Sequence, residues 1–172
     1  MNQGHFTRYL QIAARIQRSA KSLGLVRGAL SLVELFDTLI TDKLLRNTTR
    51  QLFIDCHYAQ SVEEAYKLIN NFVKQKTGLS IDGASLMKNA FSANNPFLRI
   101  SALRTLSQRD QQLGYMEILS GCMTGIRNPR AHEHQYLDKP EVALEMLAWA
   151  NHLLRIVKKS RISHKKGVTS AP

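Results

Sequence analysis

The chain has 172 residues, 44% of them apolar, and its 24 Lys and Arg against 13 Asp and Glu give a formal charge of +11 at neutral pH. This length fits one domain, no run reaches the roughly 18 apolar residues of a membrane span, and two cysteines are too few for a disulfide framework. With nine glycines, four prolines and few alternating Val, Ile and Thr runs, we expect an all-α, soluble, cytoplasmic protein with no membrane partner.

The positive charge is concentrated at the two ends of the chain. Residues 1–50 hold eight Lys and Arg against three acidic residues, residues 155–172 hold six against none, and the stretch between them is balanced. Two interpretations are open for such ends. They are solvated basic tails, or they are arms that bind nucleic-acid phosphates.

Residues 1–43 are expected to form basic amphipathic helices that pack on the core. Apolar residues recur at helical spacing over residues 6–23, with arginines and a lysine on the opposite arc. Such a helix either packs its apolar stripe on the core or lies on RNA or an anionic membrane. A second helix is expected after Gly28, with a buried stripe formed by Leu32, Val33, Phe36, Leu39, Ile40 and Leu44.

The middle of the chain shows further helical patterns. A third helical segment is expected at about 48–56, and Ser61-x-x-Glu64 has the form of a capping box that opens the next helix. Gly78 is the expected end of that helix, because glycine accepts the left-handed conformation of a C-cap. A short helix is expected over about 84–91, within a long irregular connection.

Apolar residues at helical spacing return from about Asp110 and predict the penultimate helix. The helix is expected to stop at Asn128-Pro129, because the residue before a proline disfavours the helical conformation. Its apolar arc consists of Tyr115, Met116, Ile118, Leu119, Cys122, Met123 and Ile126.

The last helix is expected to open at Asp138-x-x-Glu141, a second capping box with Pro140 in its first turn. Its predicted buried stripe consists of Ala143, Met146, Leu147, Ala150, Leu154 and Val157. A second apolar line widens this arc and consists of Val142, Trp149 and Ile156. Either the N-terminal helices or a second subunit covers it. Residues 159–172 are predicted to form a disordered basic tail.

The window from Ile126 to His134 holds two arginines, two histidines, an asparagine and a glutamate. One interpretation is structural, since Asn-Pro is a helix stop and cations near a helix C-terminus are favoured by the helix dipole. The other is chemical. An arginine binds phosphate oxygens with two parallel hydrogen bonds, and a histidine moves protons near neutral pH. RNA cleavage by attack of the 2′-hydroxyl uses both groups and needs no metal.

The string Arg127-Asn128-Pro129-Arg130-Ala131-His132-Glu133 resembles the Arg-x(4–6)-His motif of the HEPN superfamily. The chain is similar in particular to a prokaryotic, Ymh-like branch of small uncharacterised proteins over about residues 44–158. The upstream strings that carry this similarity are Asp55-x-His57-Tyr58-Ala59, Asp82-Gly83-x-Ser85-Leu86-Met87, Ala90-Phe91-Ser92 and Asn95-Pro96.

The resemblance implies a HEPN-type four-helix bundle over residues 44–158, with the helices of residues 1–43 as an addition. Such bundles form homodimers in which two copies of the motif face each other across one cleft for RNA. Many relatives are metal-independent endoribonucleases of toxin–antitoxin, abortive-infection or phage-defence systems. RNA, a second copy of the chain and a cognate antitoxin or defence partner are the implied partners, and no cofactor is implied.

The resemblance also implies roles for the residues of the motif. Arg127 would hold the scissile phosphate, His132 would act as general base or acid, and Asn128 would orient one of them. Arg130 would add a phosphate contact and Glu133 would orient an imidazole. A further substrate contact falls to His134, which fits an extended form of the motif. The products would carry 2′,3′-cyclic phosphate and 5′-hydroxyl ends.

Two alternatives stay open. The chain is a non-catalytic RNA-binding or protein-binding helical dimer in a defence complex, in which Arg127 and His132 serve affinity or structure. Alternatively, the window holds a metal ion. In that case His132 and His134 would supply two nitrogens, with a further ligand from Cys122, His152 or Glu133.

Overall fold

The computed structural model describes residues 31–133 and 136–163. The helix predicted at 6–23, His134 and residues 164–172 of the predicted tail lie outside these ranges. The described chain is predominantly helical, with one pair of two-residue strands, which confirms the all-α prediction. None of the described helices combines the length and the apolar character that crossing a bilayer requires.

The helices and strands follow one another in a simple order. They are α1 (Leu32–Leu39), α2 (Lys43–Ile54), α3 (Tyr58–Thr77), α4 (Gly83–Ala90), β1 (Leu98–Arg99), α5 (Leu106–Cys122), a π-helical segment (Met123–Arg127), α6 (Asn128–His132), α7 (Pro140–Lys159) and β2 (Arg161–Ile162). The strands pair antiparallel, with Leu98 opposite Ile162 and Arg99 opposite Arg161.

The core lies between α3 and α7, the two longest helices. Helix α3 also packs against α2, while α4 packs against α5. Tyr66 of α3 is fully buried, and its hydroxyl donates to the carbonyl oxygen of Met146 at 3.2 Å. Burial raises the pKa of Tyr66 far above its usual range, so the phenol stays neutral and acts as a donor. The predicted stripe of α7 is buried except for Met146, which is half-buried.

Helix α1 follows the prediction only in part. Phe36 and Ile40 are buried, and α1 packs against α7. Leu39 and Leu44, predicted to be buried, are 45% and 44% exposed. The helix ends at Leu39, and Asp42 caps a new helix by accepting from the N–H groups of its first turn. Leu44 therefore belongs to α2, and one helical period does not run through both helices.

Helix α3 shows why a local capping pattern can mislead. Ser61 does not cap the helix, which begins three residues earlier at Tyr58. Ser61 is buried instead, and its hydroxyl donates to the carbonyl oxygen of Thr49 at 3.1 Å, which joins α3 to α2. The predicted segment at 48–56 is the second half of α2. The predicted stop at Gly78 is confirmed, with a left-handed φ of 70°.

The predicted stop at Asn128-Pro129 is wrong. The chain stays helical from Leu106 to His132, and the π-helical segment ends two residues before Pro129. In that segment the N–H of Asn128 donates to the carbonyl oxygen of Met123, five residues earlier. A π-turn widens the helix locally and changes the i to i−4 pairing that a proline would disrupt.

The ends of α7 also differ from their predictions. Asp138 does not cap the helix; Lys139 is the N-cap residue and makes no side-chain cap bond, while Pro140 occupies the first turn as expected. At the other end, the disorder predicted from residue 159 is wrong for its first residues, since the chain continues into β2. The ammonium of Lys76 ties this end down by donating to the carbonyl oxygens of Val157 at 2.9 Å and Ser160 at 2.6 Å.

Candidate functional site

The motif segment, Arg127–Glu133, begins where the π-helical segment returns to regular α-helix. Arg127 is half-buried, and its Nη1 donates to the side-chain oxygen of Asn128 at 3.0 Å. Within residues 31–133 and 136–163, no carboxylate forms an ion pair with Arg127. Its remaining donors are therefore available to an anion. π-Turns of this kind are frequent at functional sites.

A group of hydrogen bonds among Asn70, Lys74, Asp82 and Gly83, called the polar clasp below, fixes the start of α4 close to Arg127. The side chain of Asn70 donates to Asp82 at 2.9 Å and accepts from the N–H of Gly83 at 2.9 Å, and Lys74 pairs with Asp82 at 2.9 Å. Hydrogen bonds from Asn70 and Lys74 lower the pKa of Asp82, and the charge of Arg127 adds to this effect. The Asp82-Gly83 string is therefore a structural joint between α3 and α4, next to the site.

The structure gives Arg130 partners within the fold, whereas the resemblance implied a phosphate contact. Its Nε and Nη2 donate to the two carboxylate oxygens of Asp138 at 2.6 and 2.8 Å, and its Nη1 donates to the carbonyl oxygen of Ile126 at 2.8 Å. The ring of Tyr136 lies 4.8 Å from the guanidinium carbon. Both side chains of the ion pair are 4% exposed. Arg130 therefore holds the segment against the loop before α7 and has no free face for a phosphate.

His132 and Glu133 stand at the exposed end of the motif segment. His132 is the last residue of α6, and Glu133 ends the helix with its N–H donating to the carbonyl oxygen of Pro129. His132 lies five positions after Arg127 in the sequence. At 100° per residue, the two side chains lie about 140° apart around the axis of a regular helix. One chain therefore does not bring them to face each other. His134 lies outside the described residues.

A small cleft adjoins the loop that holds Asp138. Its volume is about 180 Å³, and its walls are residues 56–60 and Tyr136–Asp138. Cys56 adopts a left-handed φ of 62°, and its sulfur accepts a hydrogen bond from the hydroxyl of Tyr58 at 3.3 Å. The upstream string around His57 therefore lies against the loop that follows the motif segment, and the two parts of the resemblance are neighbours in space.

The described residues among those named for a metal site, Cys122, His132, Glu133 and His152, form no metal-binding group of three. Burial raises the pKa of the Cys122 thiol. His152 is hydrogen-bonded to the hydroxyl of Tyr115 at 2.9 Å and stacks on Trp149. In the described part of the chain no three His, Cys, Asp or Glu side chains lie at metal-binding spacing.

An apolar surface remains open on α5 and α7. Trp149 and Val142 are 40% and 36% exposed, and Leu113 and Ile118 of α5 are exposed as well. The hydrogen bond between Tyr115 and His152 joins the two helices on this side. Helix α1 leaves these side chains uncovered. The wide apolar arc predicted for the last helix is therefore present at the surface of the described chain.

The sequence patterns do not reveal a second positively charged site, called the basic cleft below. A cleft of about 640 Å³ lies between residues 99–104 and residues 159–163. Its cations come from two segments about 60 residues apart, so no single window of sequence shows them together. The sequence shows only the excess of basic residues at the C-terminal end. That excess is compatible both with a solvated tail and with an arm that binds phosphates.

Comparison with known proteins gives one family. A family model described as a protein of unknown function, Hypoth_ymh, matches residues 40–157, about two thirds of the chain. No curated protein and no solved structure matches the chain.

Proposed function

The chain belongs to the Hypoth_ymh family of proteins of unknown function, and from that premise we propose that it is a metal-independent endoribonuclease. It acts as a cytoplasmic homodimer of HEPN-type four-helix bundles, in the manner of a toxin or phage-defence nuclease. Its catalytic residues are Arg127, Asn128 and His132, and it needs no cofactor. A cognate antitoxin or defence partner restrains it.

One observation carries this proposal: Arg127 and Asn128 form a preorganised pair five positions before the exposed His132, with no carboxylate neutralising Arg127 among the described residues. Arg130 differs from Arg127, because its donors are taken up by Asp138 and a backbone carbonyl. An arginine that serves a phosphate keeps its donors free until the anion arrives. Asn128 orients the guanidinium by accepting one of its N–H groups.

The reaction is an in-line displacement at phosphorus. The 2′-oxygen of the ribose forms a bond to phosphorus while the bond from phosphorus to the 5′-oxygen breaks. One imidazole takes the proton of the 2′-hydroxyl, and a protonated imidazole gives a proton to the leaving 5′-oxygen. Arg127 stabilises the charge that develops on the phosphoryl oxygens. The products carry a 2′,3′-cyclic phosphate and a 5′-hydroxyl.

The proposal needs two copies of the chain. Because Arg127 and His132 point in different directions from one helix, a single motif segment does not supply both groups to one phosphate. A second copy supplies the missing imidazole, and the exposed apolar surface around Trp149 gives that copy a place to pack. Sedimentation that shows a monomer at micromolar concentration would remove this arrangement.

Cleavage of end-labelled RNA in excess EDTA tests the activity. We expect the wild type to cut, and Arg127→Ala and His132→Ala each to reduce the rate by about a hundredfold or more. The matched control is Arg155→Ala, which removes an exposed arginine outside the motif segment and is expected to cut normally. Equal cutting by all three variants would identify a contaminating nuclease and overturn the proposal.

The second candidate is a non-catalytic helical dimer that binds RNA or a partner protein in a defence complex. The wide separation of Arg127 and His132 around their helix favours it, since a binding module needs no convergence of the two groups. The same assay separates the candidates. Intact RNA that stays bound to wild-type protein supports the binding module.

A further inference from the structure

The basic cleft lies at the end of the molecule where β1 pairs with β2. Four cationic side chains line it, and the described residues of its walls include no acidic residue. These cations are Arg99, Arg104, Lys159 and Arg161. Its volume of about 640 Å³ lies within the range of functional clefts.

The charge of the basic cleft is not neutralised within the described chain. Five basic side chains of the described chain form ion pairs with carboxylates, among them Arg50 with Asp37 and Lys158 with Asp42. Among residues 31–133 and 136–163, none of the four cleft cations has such a partner. All four are exposed, and the one side-chain contact of Arg99 is a bond from its Nε to the hydroxyl of Ser163 at 2.8 Å.

The pairing of the strands places like charges together. Arg99 and Arg161 are direct cross-strand partners, an arrangement that destabilises a strand pair unless a counter-charge is present. The strands are held nevertheless, because the N–H of Ser163 donates to Phe97 at 2.8 Å and Lys76 fixes the turn at Ser160. The fold thus keeps two arginines at paired positions despite their like charge, as a binding site for an anion does.

We propose that the basic cleft binds the sugar-phosphate backbone of single-stranded RNA. Two features favour a strand over a free nucleotide. Several cations that are spread along an open cleft suit successive phosphates, and the described residues of the walls include no aromatic ring on which a base could stack. Contact is therefore with the backbone and independent of sequence. The choice of RNA as the polyanion rests on the proposed nuclease function, whereas the cleft is a separate place from the motif segment.

Binding of a fluorescent 2′-O-methyl oligo-U strand of about 20 nucleotides tests this proposal, because that strand lacks the attacking hydroxyl and cannot be cut. The test variant carries Arg99→Gln, Arg104→Gln, Lys159→Gln and Arg161→Gln. The matched control removes four exposed cations elsewhere, through Lys43→Gln, Lys88→Gln, Lys139→Gln and Arg155→Gln. The two variants have the same net charge, so a difference between them reports on place and not on total charge.

We expect the test variant to lose affinity by at least about tenfold at low salt, and its slope of log K against log salt to fall by about 0.7 for each lost phosphate contact. The control is expected to keep the wild-type slope, and oligo-A is expected to bind as oligo-U does. An equal loss in both variants, or no loss in either, would overturn the proposal. Displacement of the strand by a mononucleotide at micromolar concentration would also overturn it, in favour of a small phosphorylated ligand.

This experiment fails separately from the cleavage assay. Normal RNA cutting with an unchanged salt slope in the test variant would remove the cleft and leave the nuclease. A reduced slope in the test variant, together with a wild type that never cuts RNA, would remove the nuclease and leave the cleft.

Discussion

The motif segment and the basic cleft differ in how much of their charge the fold already uses. In the motif segment, Arg130 spends its donors on Asp138 and a backbone carbonyl, and only Arg127 keeps donors for a ligand. In the basic cleft, four cations have no carboxylate partner in the described chain. Charged residues that crowd together in sequence are therefore a poor measure of the charge that a ligand can meet.

The largest effect is expected from Asp138→Asn, which leaves the buried guanidinium of Arg130 without its counter-charge. Removing one partner of a buried ion pair destabilises a protein by about 3–5 kcal/mol. Urea unfolding measures the free energy. The four Gln substitutions of the basic cleft are expected to change it by only about 0.5 kcal/mol each, which sets the structural pair apart from the free cations.

The double variant Arg130→Met with Asp138→Leu controls that prediction. It removes both charges and keeps apolar volume, so it is expected to recover much of the lost free energy. A loss under about 1 kcal/mol for Asp138→Asn alone would show that Arg130 finds water or another partner, and the contrast with the cleft would disappear.

A smaller effect is expected from Arg127→Lys, which keeps the positive charge and removes the planar fork. An ammonium does not make the paired contact that a guanidinium makes with phosphate, so the cleavage rate is expected to fall by about tenfold to a hundredfold. Stability is expected to stay within about 1 kcal/mol, since Arg127 is half-buried. Full activity in Arg127→Lys would reduce the role of Arg127 to that of a point charge.

Asn70→Ala is expected to lower the free energy of unfolding by about 1–2 kcal/mol. The buried Asn70 side chain bonds both Asp82 and the N–H of Gly83, and loss of such a partner leaves polar groups unsatisfied. Asn89→Ala is the control, since Asn89 is exposed and bonds only a carbonyl of its own helix. Equal effects of the two substitutions would show that the clasp beside Arg127 adds nothing to stability.

The smallest effect concerns pH. Burial acts to raise the pKa of Asp42, but the Lys158 ammonium and the N–H of Leu45 together hold it below its ordinary value. A lowered folded-state pKa gives stability that is present at neutral pH and lost as the pH falls below about 4. The wild type is therefore expected to lose more of its free energy of unfolding than Asp42→Asn does as the pH falls from about 5 to about 2. The free energy of unfolding of both proteins is measured across this pH range, and an equal loss in the two would contradict the prediction.

Much of the fold could be predicted because it depends on local chemistry. Gly78 ends its helix through the left-handed conformation that glycine accepts, and Pro140 opens α7 as its fixed φ allows. The failures lie where a distant partner overrides a local pattern. Ser61 bonds a carbonyl of α2, and Asp138 pairs with Arg130, so neither caps the helix that its spacing suggested.

The sequence singles out the segment Arg127–Glu133 but does not show which contacts its side chains make. It predicts a helix stop at Asn128-Pro129, whereas the structure continues the helix through His132. Which arginine keeps its donors depends on whether a carboxylate arrives from elsewhere, and Asp138 reaches Arg130 across a loop. The pairing of Arg99 with Arg161 is likewise a property of the folded chain, since it depends on strands 62 residues apart.

The π-helical segment also bears on how the motif tolerates insertions and deletions. A π-turn holds about one residue more than an α-turn, so loss of one residue from Met123–Arg127 would leave a continuous α-helix with its backbone bonds intact. Because the wide turn and the regular turn each complete about one full rotation, the residues beyond it would keep nearly the same direction. A relative that lacks one residue before Arg127 would thus preserve both the spacing from Arg127 to His132 and the directions of the two side chains, so such a gap in an alignment does not separate the two proteins.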